Sequence, residues 1–317
     1  AYSLVTDYYS PEHRGKAMGA YSLGIPIGSA IGILLGGFLA TVVDWRFAFI
    51  FVGILGILVA PILRMTLKDP VRGQYDPVGA KTEPVPFMDV FRTLSKKPSF
   101  WFMSFGAASS SMMGYGLFFW LPSFFVRSYP EALPAFLSFL PDVFKPEGAG
   151  PLLYASYFYG IIVLIGGLIG IWFGGVLGDR FGKNDKGGYA RVPAIAFLVT
   201  VPFFALGLMS PSLAVSFFVF LVPTALGLVW LGPIVAAIQQ IAPPNMRTTA
   251  SAIFLLINNL AGIGLGNLIL GALSDGFAAQ FGAESLRYAL LSGTIFYVFA
   301  AILFFMAARH LPKDWEA

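Results

Sequence analysis

The sequence holds 317 residues, 57% of them apolar and only 11% charged, with a mean hydropathy of +0.77. A water-soluble domain carries about 25% charged residues, so this composition excludes that class. The net charge of +4 needs no nucleic-acid partner, and the absence of cysteine excludes disulfides and thiolate metal sites.

Windows of about 20 residues pick out eight apolar spans: 17–40, 47–66, 99–126, 151–175, 192–209, 213–238, 249–272 and 288–308. The Lys, Arg, Asp and Glu residues lie between these spans or at their ends, as Arg64 does. Soluble core helices keep a charged face; these spans do not, so the chain reads as an all-α polytopic membrane protein. Of the 20 cations, all but Arg46, Arg127, Lys145 and Arg287 fall in one set of connections. The positive-inside rule puts that set, and both chain ends, in the cytoplasm. The chain starts at Ala1 without Met or a basic leader, and Ala1 to Thr6 read as the tail of an earlier span. An N-terminal segment is therefore expected to be missing.

In chain order, the first span places Gly24, Gly28, Gly32 and Gly36 four residues apart. Glycine costs about 1 kcal/mol against alanine in a helix, but an i, i+4 row of small residues makes a groove that lets membrane helices approach. Residues 67–98, rich in proline between charges, read as a cytoplasmic linker. Within it, Phe87, Val90, Phe91 and Leu94 have the spacing of a short amphipathic helix lying along the membrane surface. The span 99–126 carries Ser109, Tyr115 and Trp120, and 213–238 carries Thr224 and Trp230 between helix-bending prolines. These are the candidate cavity residues, because discontinuous helices near the midplane commonly hold substrate. Between these spans, the proline-rich loop 127–150 is too short to cross and is expected to cover the bundle or rest at the interface. The span 151–175 repeats the small-residue row with Gly166, Gly170 and Gly174.

After that span comes Gly175-Val-Leu-Gly178-Asp179-Arg180-Phe-Gly182-Lys183, expected in a cytoplasmic turn. A weak internal repeat accompanies it. Asp7 and Pro11-Glu-His-Arg14 precede one long span, and Gln240 and Pro244-Asn-Met-Arg247 precede another at matching separations. Repeated halves are a common transporter design.

The motif at 175–183 resembles the second-half copy of the G-x-x-x-D-R-x-G-R/K loop of the major facilitator superfamily. The Pro-x-x-Arg loops, Asp44-Trp45-Arg46 and the long central linker fit the same resemblance. It implies that the eight spans are helices five to twelve of an expected twelve. Residues 1–66 would then end an N-terminal bundle, 67–98 would be the linker, and 99–317 would form a six-helix C-terminal bundle. The ending LLINNLAGIGLGNLILGALSD, followed by Glu284-Ser-Leu-Arg287-Tyr288, is similar to the bacterial Spinster-like branch, linked to lysophospholipid or sphingolipid export.

The resemblance further implies that Gly175, Gly178, Asp179, Arg180, Gly182 and Lys183 form a gate with Arg14, Asp7 and Arg247. Asp179 would latch onto the N-terminus of the 17–40 helix. The two glycine rows would face each other across the bundles as a sliding surface. The first row also resembles an antiporter signature but has Ile33 in place of its proline. No carboxylate or histidine lies inside a span, which disfavours a buried acid–base pair or metal cluster. The expected function is secondary active transport of a small molecule or lipid-like amphiphile by alternating access. The protein is expected to be a monomer in the bacterial inner membrane, without cofactor and with a coupling proton as a possible partner. Alternatives are a proton-coupled sugar or organic-anion symporter and, from other classes, a multi-span membrane enzyme or a channel.

Overall fold

The architecture comes from a computed structural model that describes residues 8–9, 11–67 and 85–315, without the side chains of 11–19, 179 and 184. Two long helices come first, α1 (Pro11–Val42) and α2 (Trp45–Thr66). Asp44 separates them by capping α2, its carboxylate accepting from the Phe47 amide at 2.9 Å. The short α3 (Phe87–Ser95) then leads into α4 (Pro98–Ser128), with Pro98 at the first helical position, where its missing N–H costs nothing. The short α5 (Ala132–Phe136) lies in the loop that follows.

The remaining rods are α6 (Pro151–Asn184), α7 (Gly188–Met209), and α8 (Leu213–Leu228) continued by α9 (Leu231–Ile241). Next come α10 (Arg247–Asn259) and α11 (Gly266–Phe281), joined by a π-helical turn at Leu260–Leu265. Finally α12 (Ser285–Gly293) leads into α13 (Ile295–Asp314). All eight predicted spans thus fall on helical rods. Among the described residues, six stretches are long and apolar enough to cross a membrane, the 71-residue Pro244–Asp314 stretch being two rods joined at Gly282–Glu284. α4 is long enough, but its serines, glycines and Tyr115 dilute its hydropathy.

The core of the bundle is aromatic. Phe197 stacks on Tyr297 and Phe304 at 5.2 and 5.7 Å, and Phe125 packs on Phe158 and Phe220 at 4.8 and 5.5 Å. α2, by contrast, buries no residue; its apolar surface suits a hydrocarbon solvent. The loop after α4 folds back over one end of the bundle. Leu133 and Leu137 are buried there, Phe136 packs on Phe158 and Phe217, and the Tyr157 hydroxyl donates to the Phe144 carbonyl at 3.0 Å.

Two clasps close the opposite end. The Lys97 ammonium donates to the carbonyls of Ile241 (2.6 Å) and Asp314 (3.2 Å), while the Asp314 carboxylate caps α4 at the Ser99 amide, 2.9 Å away. Trp315 stacks on Tyr189 at 5.4 Å, with the Lys186 ammonium 5.0 Å above the indole.

Candidate functional site

The first element of the site is the seam between α1 and α6. Pro26 faces Gly167, Leu34 faces Gly160, and Gly37 faces Ser156, so each step up α1 is a step down α6. The helices are antiparallel and meet through small residues. A side chain at Gly167 would sit 2.4 Å from Pro26, and one at Gly37 would sit 2.7 Å from Ser156 Cβ. Ala30 is fully buried in this seam, and its carbonyl lies 3.6 Å from where a Gly160 Cβ would be.

This corrects the glycine assignment. The helices expected to meet do meet, but neither glycine row is at the contact. Gly24, Gly28, Gly32 and Gly36 have no atom within 4 Å of an added Cβ among the described residues. They lie about 200° around the helix from Pro26, Ala30 and Leu34, which is the opposite face. Gly166, Gly170 and Gly174 turn instead to α8 and its continuation. Added Cβ atoms would lie 2.9 Å from Thr224 Cβ, 2.0 Å from the Ala225 carbonyl oxygen and 2.4 Å from the Val229 carbonyl oxygen. Gly178 continues the row onto Pro233 at 2.5 Å. The row is therefore internal packing that brings two backbones together at the break in the α8–α9 rod. Pro233 cannot donate to the Val229 carbonyl, so the rod is weakest where the glycines touch it.

The motif at 175–183 is also relocated. It forms the last turns of α6 rather than a turn, and the chain reverses only at Asp185–Gly187. Gly182 is needed there because a side chain would meet the Tyr189 ring at 2.3 Å, whereas Gly175 has open space. Arg180 and Lys183 are exposed. In the reversal, Asp185 accepts from the Gly187 amide at 2.8 Å and pairs with Arg191. The Gly187 hydrogen bond, then Arg191, hold its carboxyl below the usual carboxylate range. Arg247 bonds the Ala242 carbonyl at 3.4 Å. Asp7 and the side chains of Arg14 and Asp179 lie outside the described residues.

The cavity candidates are brought together only in part. Ser109 donates to the Phe296 carbonyl at 2.8 Å and is thereby satisfied by α13. Tyr115 donates to Asn259 Oδ1 at 3.3 Å, and Trp120 Nε1 donates to the Asn267 carbonyl at 3.3 Å. With Ser111 donating to Asn258 Oδ1 at 2.8 Å, these contacts make a polar lattice between α4 and the α10–α11 rod. Thr224 packs on Gly166, and Trp230 is buried edge-on to Phe254 at 6.2 Å. The serines and aromatics thus serve helix–helix contact at least as much as any cavity.

Asn267 and the π turn were not anticipated. The signal was the run Gly262, Gly264, Gly266, where two glycines pass under α4: an added Cβ would lie 2.7 Å from Ser111 Cβ and 2.2 Å from the Met112 carbonyl oxygen. A π turn widens the helix by one residue, and close approach of this kind is where such insertions occur. Beside it lies an apolar groove of about 560 Å³ lined by Ala252, Leu255, Leu256, Asn259, Leu260, Ile263 and Gly264.

Long apolar rods with their charges towards the ends, a helix broken at Val229–Trp230 and a polar lattice inside the bundle define an integral α-helical membrane protein of the carrier type. The chain belongs to the Major Facilitator Superfamily, whose family model matches residues 1–265. It is 26% identical over 315 residues to an MFS-type efflux pump of Mycolicibacterium smegmatis, covering 99% of this chain and 68% of that protein. It is 24% identical to protein spinster homolog 3 of Danio rerio, over 99% of this chain and 64% of that one. Among solved structures it is similar to a bacterial homolog of the human lysosomal transporter Spinster, inward-facing and unoccupied. There the TM-score is 0.75 at 26% identity, over all of this chain and 75% of that one. The inward-facing, occupied form gives a TM-score of 0.69. The chain spans about half to two thirds of the length of the curated relatives it matches.

Proposed function

We propose that this chain belongs to a secondary active transporter that moves a small molecule or lipid-like amphiphile by alternating access, with residues 1–66 and 99–317 on opposite sides of the moving interface and 67–98 as the linker. The α1–α6 seam carries this reading. Gly160, Gly167 and Ser156 of α6 and Ala30 and Gly37 of α1 keep it shallow, with Leu34 seated over Gly160, so few long side chains have to unlock as two units rock over each other. Its register also bears on the gate. Twelve residues beyond Pro26 towards the α1 N-terminus is Arg14, and twelve beyond Gly167 towards the α6 C-terminus is Asp179. A carboxylate at that level meets the positive end of α1, an interaction worth about 0.3–1 kcal/mol when exposed and up to ~2 kcal/mol when partly buried. In this reading Asp179 latches the cytoplasmic side, with Arg180 and Lys183 at its rim. The protein works as a monomer in the bacterial inner membrane with both ends cytoplasmic. The uncharged, aromatic interior of α4 and the α8–α9 rod favours an amphiphile over a dianion.

The test is uptake of a labelled lysophospholipid into proteoliposomes of the full-length protein, with and without an imposed proton gradient. Saturable, gradient-dependent uptake is expected, strongly reduced by Asp179→Asn at equal reconstitution. Non-saturable flux would favour a channel, and unchanged transport by the variant would remove the latch.

A further inference from the structure

The corner between α3 and α4 carries exposed side chains that the transport reading does not use. α3 buries Val90 and Leu94 against α4 and α10, and this orients the rest of the helix. At 100° per residue, Phe87 and Phe91 fall beside the buried edge, whereas Arg92 and Lys96 fall on the far side. The two phenylalanines begin a continuous strip of rings. Phe87 stacks on Phe91 at 6.4 Å, Phe91 meets Trp101 edge-on at 5.7 Å, and Trp101 stacks on Phe105 at 6.1 Å.

The strip is open: Phe87 is 59% exposed, the adjoining Met88 56% and Phe105 52%. It runs without interruption from the amphipathic helix onto the outer face of a membrane-crossing one. On the helix face turned away from the buried edge, Arg92 and Lys96 are exposed and form no ion pair among the described residues. The one acid of α3, Asp89, sits in its first turn, where the helix dipole favours it. An exposed aromatic strip on one flank of a short helix, with exposed cations on another, has the chemistry of the boundary between acyl chains and phosphate.

We infer that α3 and the first turns of α4 bind an anionic phospholipid of the cytoplasmic leaflet, with Arg92 and Lys96 on the phosphate and Phe87, Phe91, Trp101 and Phe105 against the glycerol and upper chains. Charge complementarity selects the anionic headgroup, and continuity with the membrane-crossing face of α4 selects lipid over a protein partner. The site uses the proposed orientation of the chain but is independent of what the protein carries.

A photo-crosslinking residue at Phe91, in the full chain reconstituted in phosphatidylcholine vesicles with a minor fraction of phosphatidylglycerol, tests this directly. Phosphatidylglycerol adducts are expected several-fold above their mole fraction. Each cation near an anionic surface is worth about fivefold in affinity, so Arg92→Gln and Lys96→Gln should each lower the enrichment by about that factor. Arg309→Gln with Lys313→Gln, exposed cations elsewhere on the same side, should leave it unchanged. Raising salt should erode it in the unsubstituted protein, a readout that needs no variant to fold. Adducts in bulk proportion, or adducts to protein in place of lipid, would overturn the proposal.

Discussion

Replacing Gly170 by alanine adds a methyl group 2.0 Å from the Ala225 carbonyl oxygen and 2.7 Å from its carbon. Ordinary heavy-atom contact is about 3.5–4 Å, so the two helices must separate by more than about 1 Å or tilt. The neighbour is backbone, with no rotamer to escape into. Separation also thins the adjoining contacts of Gly166 with Thr224 and Gly174 with Val229. Overpacking of this kind costs about 1–3 kcal/mol, and the rigidity of the obstacle argues for the upper end. At roughly 2–4 °C per kcal/mol, the midpoint in detergent should fall by about 5–10 °C. Gly175→Ala, five residues along the same helix and facing open space, is the internal control. It should be neutral or gain up to about 1 kcal/mol in helix propensity. The assay is thermal unfolding of both purified variants followed by size-exclusion recovery. Equal midpoints for Gly170→Ala and Gly175→Ala would refute the assignment of this row to internal packing.

Three further outcomes are expected. Gly37→Cys with Ser156→Cys, in a chain that has no native cysteine, should cross-link under mild oxidation, because the two Cβ positions are within reach. Transport that persists in the fully cross-linked protein would contradict rocking at this seam. The Ser111–Asn258 pair should show a coupling of about 0.6 kcal/mol in a double-mutant cycle, and below ~0.2 kcal/mol the lattice would have no energetic role. Asp185 is held below the usual carboxylate range, so its contribution is present above about pH 4 and is lost as pH falls through the lower folded value. Exposure keeps this under about 1 kcal/mol; Asp185→Asn should lower the neutral-pH midpoint slightly and remove that share of the acid dependence.

The rods were legible because their signal is additive: some twenty apolar residues outweigh any local ambiguity. The ends were not. The 151–175 span read as finished where Asp179 and Arg180 begin, yet α6 runs to Asn184, since backbone hydrogen bonding continues into water wherever a neighbour such as Tyr189 covers the helix. The glycine rows illustrate a second limit. A spacing of four shows that one helix face is smooth, but the partner of that face depends on rotation about the axis. For α1 that rotation is set by Pro26 and Ala30, on the far side from the row. In α4, Ser109 and Tyr115 were readable as polar groups needing partners. Their partners, Phe296 and Asn259, lie 187 and 144 residues away, beyond anything local spacing encodes.

The cap on α4 has a consequence in time. Its carboxylate comes from Asp314, 215 residues after the Ser99 amide that it receives. At about 5–20 residues per second, a ribosome reaches that aspartate roughly 10–40 s after it has made the helix. Throughout that interval α4 must sit in the bilayer with its first turn held by water or lipid, and Lys97 cannot yet reach its carbonyl on the final helix. This end of the bundle is therefore the last part to set, and a chain stalled or truncated before Asp314 should be recognisable to a membrane protease there first.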